Sequence, residues 1–375
     1  MYRIAGQIQH YAWGITGGLS AWHQRDGQHQ PDPDSQPEAE LWFGAHPNGP
    51  SLVIDEPGKT LLDCVDPQQV PLLVKLLAAA RPLSIQIHPP TDQAQRQFTA
   101  QQEDPLLPKL LADALAKTEM LIALRPFSTL CGMRKPEEAA AILEAVGGGA
   151  SKAAQLVRAG DPKGAIRHLL GLPPDELLEL GNKLPASAAI AGEAPPSVEA
   201  LAMVVRDYPG DPGVLVAAML EHRILNEGEA VYVPAGVVHA YIQGTGFEVM
   251  TSSDNVLRLG LTPKTVAVEE SLAALQPDLE PMPMRPAPVE LEGGGTRRSF
   301  EPAGAPFRAD WIDGGSVSAG TGRYRLVLAV WGQATVSSAD ATVTIDQGEG
   351  AAVLADEPDV RVSAEGSVFI ATENQ

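Results

Sequence analysis

Apolar residues recur along this chain with two periods, and the switches between them divide it into three stretches. Over residues 1–124, short β-like runs alternate with turn punctuation such as His46-Pro47-Asn48-Gly49-Pro50. Two helical stretches interrupt them. One spans about 71–80, where Leu72, Leu73, Leu76 and Leu77 fall at helical spacing, and the other about 104–116. Over 126–222 the chain becomes rich in Ala, Leu and Glu, and 137–146, 151–158, 174–184 and 197–205 read as amphipathic helices with Pro at several starts. Strands resume at Leu225, with Ala230–Val233, 237–242 and 247–251 separated by Gly and Pro turns. A second β stretch covers about 299–372, including 323–331, 341–345 and 360–363. Between the two, 277–288 carries Pro277, Pro281, Pro283, Pro286 and Pro288 and reads as a linker.

A block of helices with strands on both sides has the form of an insertion into a β-domain. The expected fold class is therefore mainly β with an α-helical insertion. The expected domains are a discontinuous β unit (1–125 with 223–275), a helical unit (126–222) and a terminal β unit (289–375). The length of 375 residues accommodates two or three domains, and 44% apolar residues suffice for their cores. A formal charge of −20 excludes a nucleic-acid protein, because phosphate binding needs a basic surface. An anionic substrate would need a local basic pocket for the same reason. Cys64 and Cys131 are the only cysteines, which excludes a disulfide framework and a thiolate zinc cluster. The first 15 residues lack a basic stretch followed by a long apolar run, and 70–80 is interrupted by Lys75 and too short to span a bilayer. A cytoplasmic protein without membrane partners is expected.

Three runs place chemistry within this pattern. In Leu83-Ser84-Ile85-Gln86-Ile87-His88, strand alternation puts Ser84, Gln86 and His88 on one face. In 237–242, His239 and Tyr241 share a face after the Pro234-Ala235-Gly236 turn. In 117–124, Lys117 and Glu119 share a face, and a carboxylate leading into Met-Leu-Ile-Ala-Leu is costly to bury without a cation or strong hydrogen bonds. Separately these read as a half-exposed strand, a packed histidine and a lysine–glutamate pair. Together, two imidazoles, one carboxylate and one amide oxygen form a donor set suited to zinc, with manganese or iron also compatible. The glycine pairs in 147–149, Gly244-Thr245-Gly246 and Gly320-Thr321-Gly322 read as turns and not as a dinucleotide site. His46 reads as support for its Pro-Asn-Gly turn. His10, His23, His29, His168 and His222 read as surface or packing groups, and Cys131 as a small buried residue.

These residues belong to longer blocks: Tyr11-Ala12-Trp13-Gly14, Glu38-Ala39-Glu40-Leu41-Trp42 through His46-Pro47-Asn48-Gly49-Pro50-Ser51, and Pro71-Leu72-Leu73-Val74-Lys75. The series continues with Leu83 through Pro89, Lys117-Thr118-Glu119-Met120, Tyr232 through Tyr241, and Ser253-Asp254-Asn255-Val256-Leu257-Arg258 through Thr262-Pro263-Lys264. In this order they resemble the type I mannose-6-phosphate isomerases, zinc-dependent enzymes of the cupin superfamily. The terminal β unit has no such blocks and agrees only in layout. The resemblance implies two cupin-type jelly-roll barrels plus the helical unit. It implies one Zn2+ per chain held by Gln86, His88, Glu119 and His239, and interconversion of mannose 6-phosphate and fructose 6-phosphate through an enediol(ate).

The resemblance also implies that Ser84, Lys75, Arg258, Lys117 and Lys264 face the sugar phosphate, with Tyr241 and Trp13 among the substrate-binding positions. Arg258 is the expected anion clamp, since a guanidinium is permanently charged and binds oxyanions bidentately. A salt bridge to Asp254, four residues earlier, is its competing reading. Lys117, Glu248 and Asp254 all have chemistry suited to the proton transfer, as has a metal-bound hydroxide, and they remain unranked. No histidine or cysteine follows His239, so the terminal β unit lacks the usual cupin ligands and is read as degenerate. The alternatives are a cupin oxygenase, which leaves the lysine and arginine set unexplained, and a sugar-binding regulatory cupin that has lost catalysis. A monomer or weak homo-oligomer with a small-molecule substrate is expected.

Overall fold

A computed structural model describes residues 1–23 and 36–374 of the chain. Its centre is the strand His239–Thr251, which changes partners part-way along. The early part pairs with Phe127–Met133, and His239 also pairs with Gln86 in Ile85–Ile87. The later part lies between Leu72–Ala79 and Glu119–Ala123. Gly244 sits at the change, at a φ of 148° and so close to Phe127 that an added Cβ would lie 2.7 Å from its Cα. Only glycine permits that bend. The Gly244-Thr245-Gly246 sequence is therefore a kink inside one long strand, where the sequence pattern suggests a turn between two.

The helical insertion leaves from Phe127–Met133 and returns in Leu220–Leu225, two strands that pair with each other. Entry and exit are adjacent, so the insertion can grow without disturbing the sheet. Pro136–Val146, Gly149–Arg158, Pro174–Ile190 and Pro195–Asp207 fall where helices are expected, and Pro162–Leu170 and Gly213–Ala217 add to them. Their apolar faces pack on Ile85, Ile87, Val238, Ala240 and Ile242, the outer side of the site-bearing strands.

The expected helix over 71–80 is instead the strand Leu72–Ala79, buried at every position. Leu72, Val74, Leu76 and Ala78 pack toward a second sheet, whereas Leu77 and Ala79 join a separate interior cluster. A strand covered on both faces loses its polar alternation and imitates helical spacing. The expected helix over 104–116 is also absent; Pro105 and Pro108 break it, and the helix lies earlier, at Thr91–Glu103. That helix is rich in Gln, which conceals its packing face.

The second sheet holds the strands from Val289 to Glu373, together with Tyr2–Ala5 and Leu52–Val53 from the start of the chain. All strand pairings in both sheets are antiparallel. Within the proline-rich stretch, Met282–Met284 adds an edge strand to Ala230–Val233. An edge is where a strand tolerates proline, here Pro283. The whole agrees with a strand-rich fold carrying a helical insertion between two antiparallel sheet regions.

Candidate metal centre and its cavity

Three buried polar side chains converge among the apolar strands. His88 is fully buried, Glu119 is 1% exposed and His239 2% exposed. Their ligand atoms lie within 4.8 Å of one another. His88 follows Ile85–Ile87, where Ile85 and Ile87 point into the core and leave Gln86 and His88 for the opposite face. Glu119 opens Glu119–Ala123, and His239 opens the long central strand.

The hydrogen bonds orient each ligand. His88 Nδ1 faces the carbonyl of Asn255 at 2.8 Å, and His239 Nδ1 faces the carbonyl of Val237 at 3.2 Å. Carbonyls only accept, so both Nδ1 atoms carry protons and a neutral ring presents a bare Nε2. Those Nε2 atoms stand 3.1 and 2.9 Å from the two oxygens of Glu119. Burial first and Lys117 second push His88 down to about 4, which keeps it neutral at ordinary pH. A lone pair facing a carboxylate oxygen at such a distance is repulsive unless a cation lies between them. The donor set therefore fits a divalent metal. Burial opposes ionisation of Glu119, but the adjacent Lys117 ammonium leads the opposing influences and its pKa is held well below the usual carboxylate value.

Gln86 stands opposite both His239 and Arg258 in the sheet. Its amide nitrogen donates to Ser84 Oγ at 3.2 Å, which leaves the amide oxygen available. Tyr241 donates to Glu119 Oε1 (2.9 Å), and Lys117 Nζ lies 2.9 Å from Oε2. The carboxylate is thus held by partners on both oxygens.

This cluster forms one wall of a cavity of about 640 Å³, a size suited to a small molecule. Gln86, Glu119, His239 and Tyr241 line that wall. Trp13, Ser84, Lys75, Lys117 and Glu248 continue the lining, and Asp254, Arg258 and Lys264 complete it. Every site residue expected from the sequence is therefore gathered here, with His88 joined through Glu119.

The cations divide into two kinds. Lys75 is buried between Glu248 (3.1 Å) and Glu40 (3.8 Å), and stands 4.9 Å from the centre of the Trp42 ring. Burial works against its charge, but Glu248 and Glu40 reverse that and push its pKa up. Lys117 is committed to Glu119. Among the described residues no carboxylate lies within ion-pair distance of Arg258 or Lys264. Among the described residues the Arg258 guanidinium donates only to the carbonyl of Val256 (3.4 Å), and the salt bridge to Asp254 is not formed. Burial and then Glu119 push Glu248 up, with Lys75 partly offsetting them.

Several functional contacts escape the sequence pattern. Asn255, fully buried, accepts from His88 and also ties down 112–115, accepting from Ala112 N at 2.9 Å and donating to Leu115 O at 2.8 Å. Asn48 donates to Asp254 Oδ2, and His46 Nε2 lies 3.3 Å from the same oxygen. No local periodicity marks any of these; the signals are the Ser253-Asp254-Asn255 block and the His46–Ser51 block. His10, His168 and His222 lie outside the site, bonded to Pro37 O, Gly149 O and Ser128 Oγ. His29 and the side chain of His23 lie outside the described residues. Cys131 is fully buried, with its thiol pushed up by burial.

Fold and site together define a strand-rich protein whose buried two-histidine, one-carboxylate cluster opens on a small-molecule cavity. The model of the phosphomannose isomerase type I catalytic domain matches residues 1–136. The mannose-6-phosphate isomerase of Salmonella typhimurium is 29% identical over 98% of both chains, and that of Homo sapiens is 32% identical over 72% of this chain and 71% of its own. The apo-form crystal structure of the Salmonella typhimurium enzyme covers 100% of this chain and 99% of its own at 26% identity and a TM-score of 0.82. A mannose 6-phosphate isomerase structure bound with zinc and yttrium covers both chains fully at 26% identity and a TM-score of 0.83. The chain belongs to the type I phosphomannose isomerases.

Proposed function

We propose that this chain interconverts mannose 6-phosphate and fructose 6-phosphate, an aldose–ketose isomerisation, with one Zn2+ held by Gln86, His88, Glu119 and His239. The observation that carries the reading is the buried His88–Glu119–His239 cluster in the wall of the cavity. A zinc-bound structure among the similar proteins supports the choice of metal. When bound, the metal supplies Lewis-acid stabilisation of negative charge on the substrate oxygens during enolisation.

The chain's own residues supply the rest. Arg258 and Lys264 are the cavity cations without a protein carboxylate, so they meet the phosphate. A guanidinium can grip it bidentately, which an ammonium cannot. Trp13 and Ser84 give the sugar a flat apolar wall and a hydroxyl. Tyr241 orients Glu119 and faces the same space. Lys117, Glu248 and Asp254 are the groups that move protons between C1, C2 and their oxygens. Glu248, pushed up by burial and Glu119, holds a proton more readily than an ordinary carboxylate. Residues 1–125 with 223–275 form the catalytic unit, lending Tyr2–Ala5 and Leu52–Val53 to the second sheet, 126–222 the helical unit, and 289–375 a degenerate cupin-like β unit. The protein acts in the cytoplasm as a monomer or weak homo-oligomer.

The test is a coupled assay for fructose 6-phosphate formed from mannose 6-phosphate, before and after chelation. Turnover should vanish with the metal and return on adding zinc. Undiminished turnover in protein shown to be metal-free would sink the mechanism.

A further inference from the structure

We propose that His46 and Asn48 are positioning residues for Asp254, fixing one of its carboxylate oxygens so that the other, Oδ1, is presented to the sugar. This rests on the reading of Asp254 as a group that exchanges protons with the substrate. The two residues come from a tight loop 206 positions away in the chain. Gly44 N donates to Ser51 Oγ (3.0 Å), Ser51 N to Gly44 O (2.9 Å) and Gly49 N to His46 O (3.0 Å), so the loop is closed by its own hydrogen bonds. Gly49 lies against Trp42: an added Cβ would stand 3.1 Å from the ring and 2.6 Å from the Gln9 amide. The Trp42 ring also meets His46 edge-on at 5.1 Å.

The bonding of the imidazole settles its proton. His46 Nδ1 accepts from the Asn48 backbone N–H at 3.2 Å. A nitrogen that accepts carries no hydrogen, so the neutral ring bears its proton on Nε2. That atom faces Asp254 Oδ2 at 3.3 Å. Burial pushes the His46 pKa down, with Asp254 opposing, and so favours the neutral donor. The Asn48 amide donates to the same oxygen at 2.8 Å.

The Asn48 amide thus bonds Oδ2 and the His46 Nε2–H stands against the same oxygen, while among the described residues none donates to Oδ1. Asp254 lies in the irregular stretch between Thr251 and Leu257, where no sheet hydrogen bonds hold its side chain. One hydrogen bond and one close N–H on the same oxygen hold the carboxylate from one side and leave the lone pairs of Oδ1 for the cavity. Proton transfer is sensitive to such placement, since an ångström of error can cost about a hundredfold in rate.

The experiment measures turnover, metal content and thermal melting for H46A, H46Q, N48A and D254N, and for H46A in the D254N background. H46A should lose about tenfold or more in kcat while retaining metal. His46→Gln places an amide nitrogen near the position of Nε2 and should recover most of that loss, a result that loosened packing would not give. N48A, at an exposed position, keeps the fold regardless of how H46A behaves and should lose about threefold or more. In the D254N background the H46A substitution should cost nothing further. D254N with full turnover would overturn the reading of Asp254 itself. An inactive D254N beside fully active H46A and N48A would overturn only the positioning role. So would H46Q no better than a folded H46A, or an equal fold-loss from H46A in both backgrounds.

Discussion

Glu119 accepts from Tyr241, faces Lys117 and meets both imidazoles, all from a position 1% exposed to solvent. Removing a ligand and removing a cavity cation should therefore have separable results. His239→Ala should lose both bound metal and turnover, because Glu119 and His88 then face a gap on one side. Full metal occupancy by elemental analysis would remove His239 from the ligand set. Arg258→Ala should keep its metal and lose about a hundredfold or more in kcat/KM, consistent with loss of a charge-assisted anion contact. Unchanged kcat/KM would refute the clamp. The ligands were legible in the sequence because a strand exposes its polar residues one by one: Gln86 between Ile85 and Ile87, Glu119 ahead of an apolar run. Asn255 and His46 were not. Their partners lie 167 and 208 residues away, and no period in the chain reports contacts of that range.

At the level of elements, legibility followed burial. Helices of the insertion have one apolar face each and were readable, whereas Leu72–Ala79 is buried on both faces, with Lys75 its one polar residue, and imitated a helix. Where the insertion rejoins the sheet, Leu220–Leu225 places His222 beside Ser128, with ring Nε2 3.0 Å from Oγ. Nearby, Arg134 pairs with Glu193 at 2.5 Å, and Ser197 donates to the same glutamate at 2.6 Å. Burial, and after it Arg134, lowers the His222 pKa from 6.5 to about 4. In that window the unfolded chain binds a proton that the folded chain refuses, so stability falls as pH drops from about 6.5 to about 4. A His222→Gln variant cannot titrate and should show a shallower loss over that window. Denaturant melts of metal-free protein at several pH values measure it. An equally steep acid limb in the variant would assign the loss to other groups, such as His88.

Across the whole molecule, each sheet has an apolar cluster of its own, and a further cluster is shared between them. Val74, Leu76, Met120, Ile122, Phe247 and Val249 from one sheet share a single apolar cluster with Phe300, Phe307, Trp311, Leu326 and Phe369 from the other. Phe247 and Phe369 stack across it, with ring centres 4.7 Å apart and planes within 15°. Tyr2–Ala5 strengthens the tie, since the start of the chain is a strand of the second sheet, pinned by Arg3 to Glu349 at 2.7 Å. Phe369 lies far from the metal ligands in sequence and on the opposite side of the catalytic sheet from the cavity lining. Phe369→Ala should cost about 3–5 kcal/mol, the usual range for emptying a fully buried aromatic site. Because the core is shared, calorimetry at constant metal loading should show both sheets melting together at a lower temperature. A new, separate transition for the terminal sheet, with the catalytic half melting as before, would show that the sheets are independent. The shared core also sets what happens to activity. Below the new melting point the cavity wall keeps its strand pairings, so turnover per folded molecule should stay within about twofold of the parent, and the deficit should appear only as the folded fraction falls.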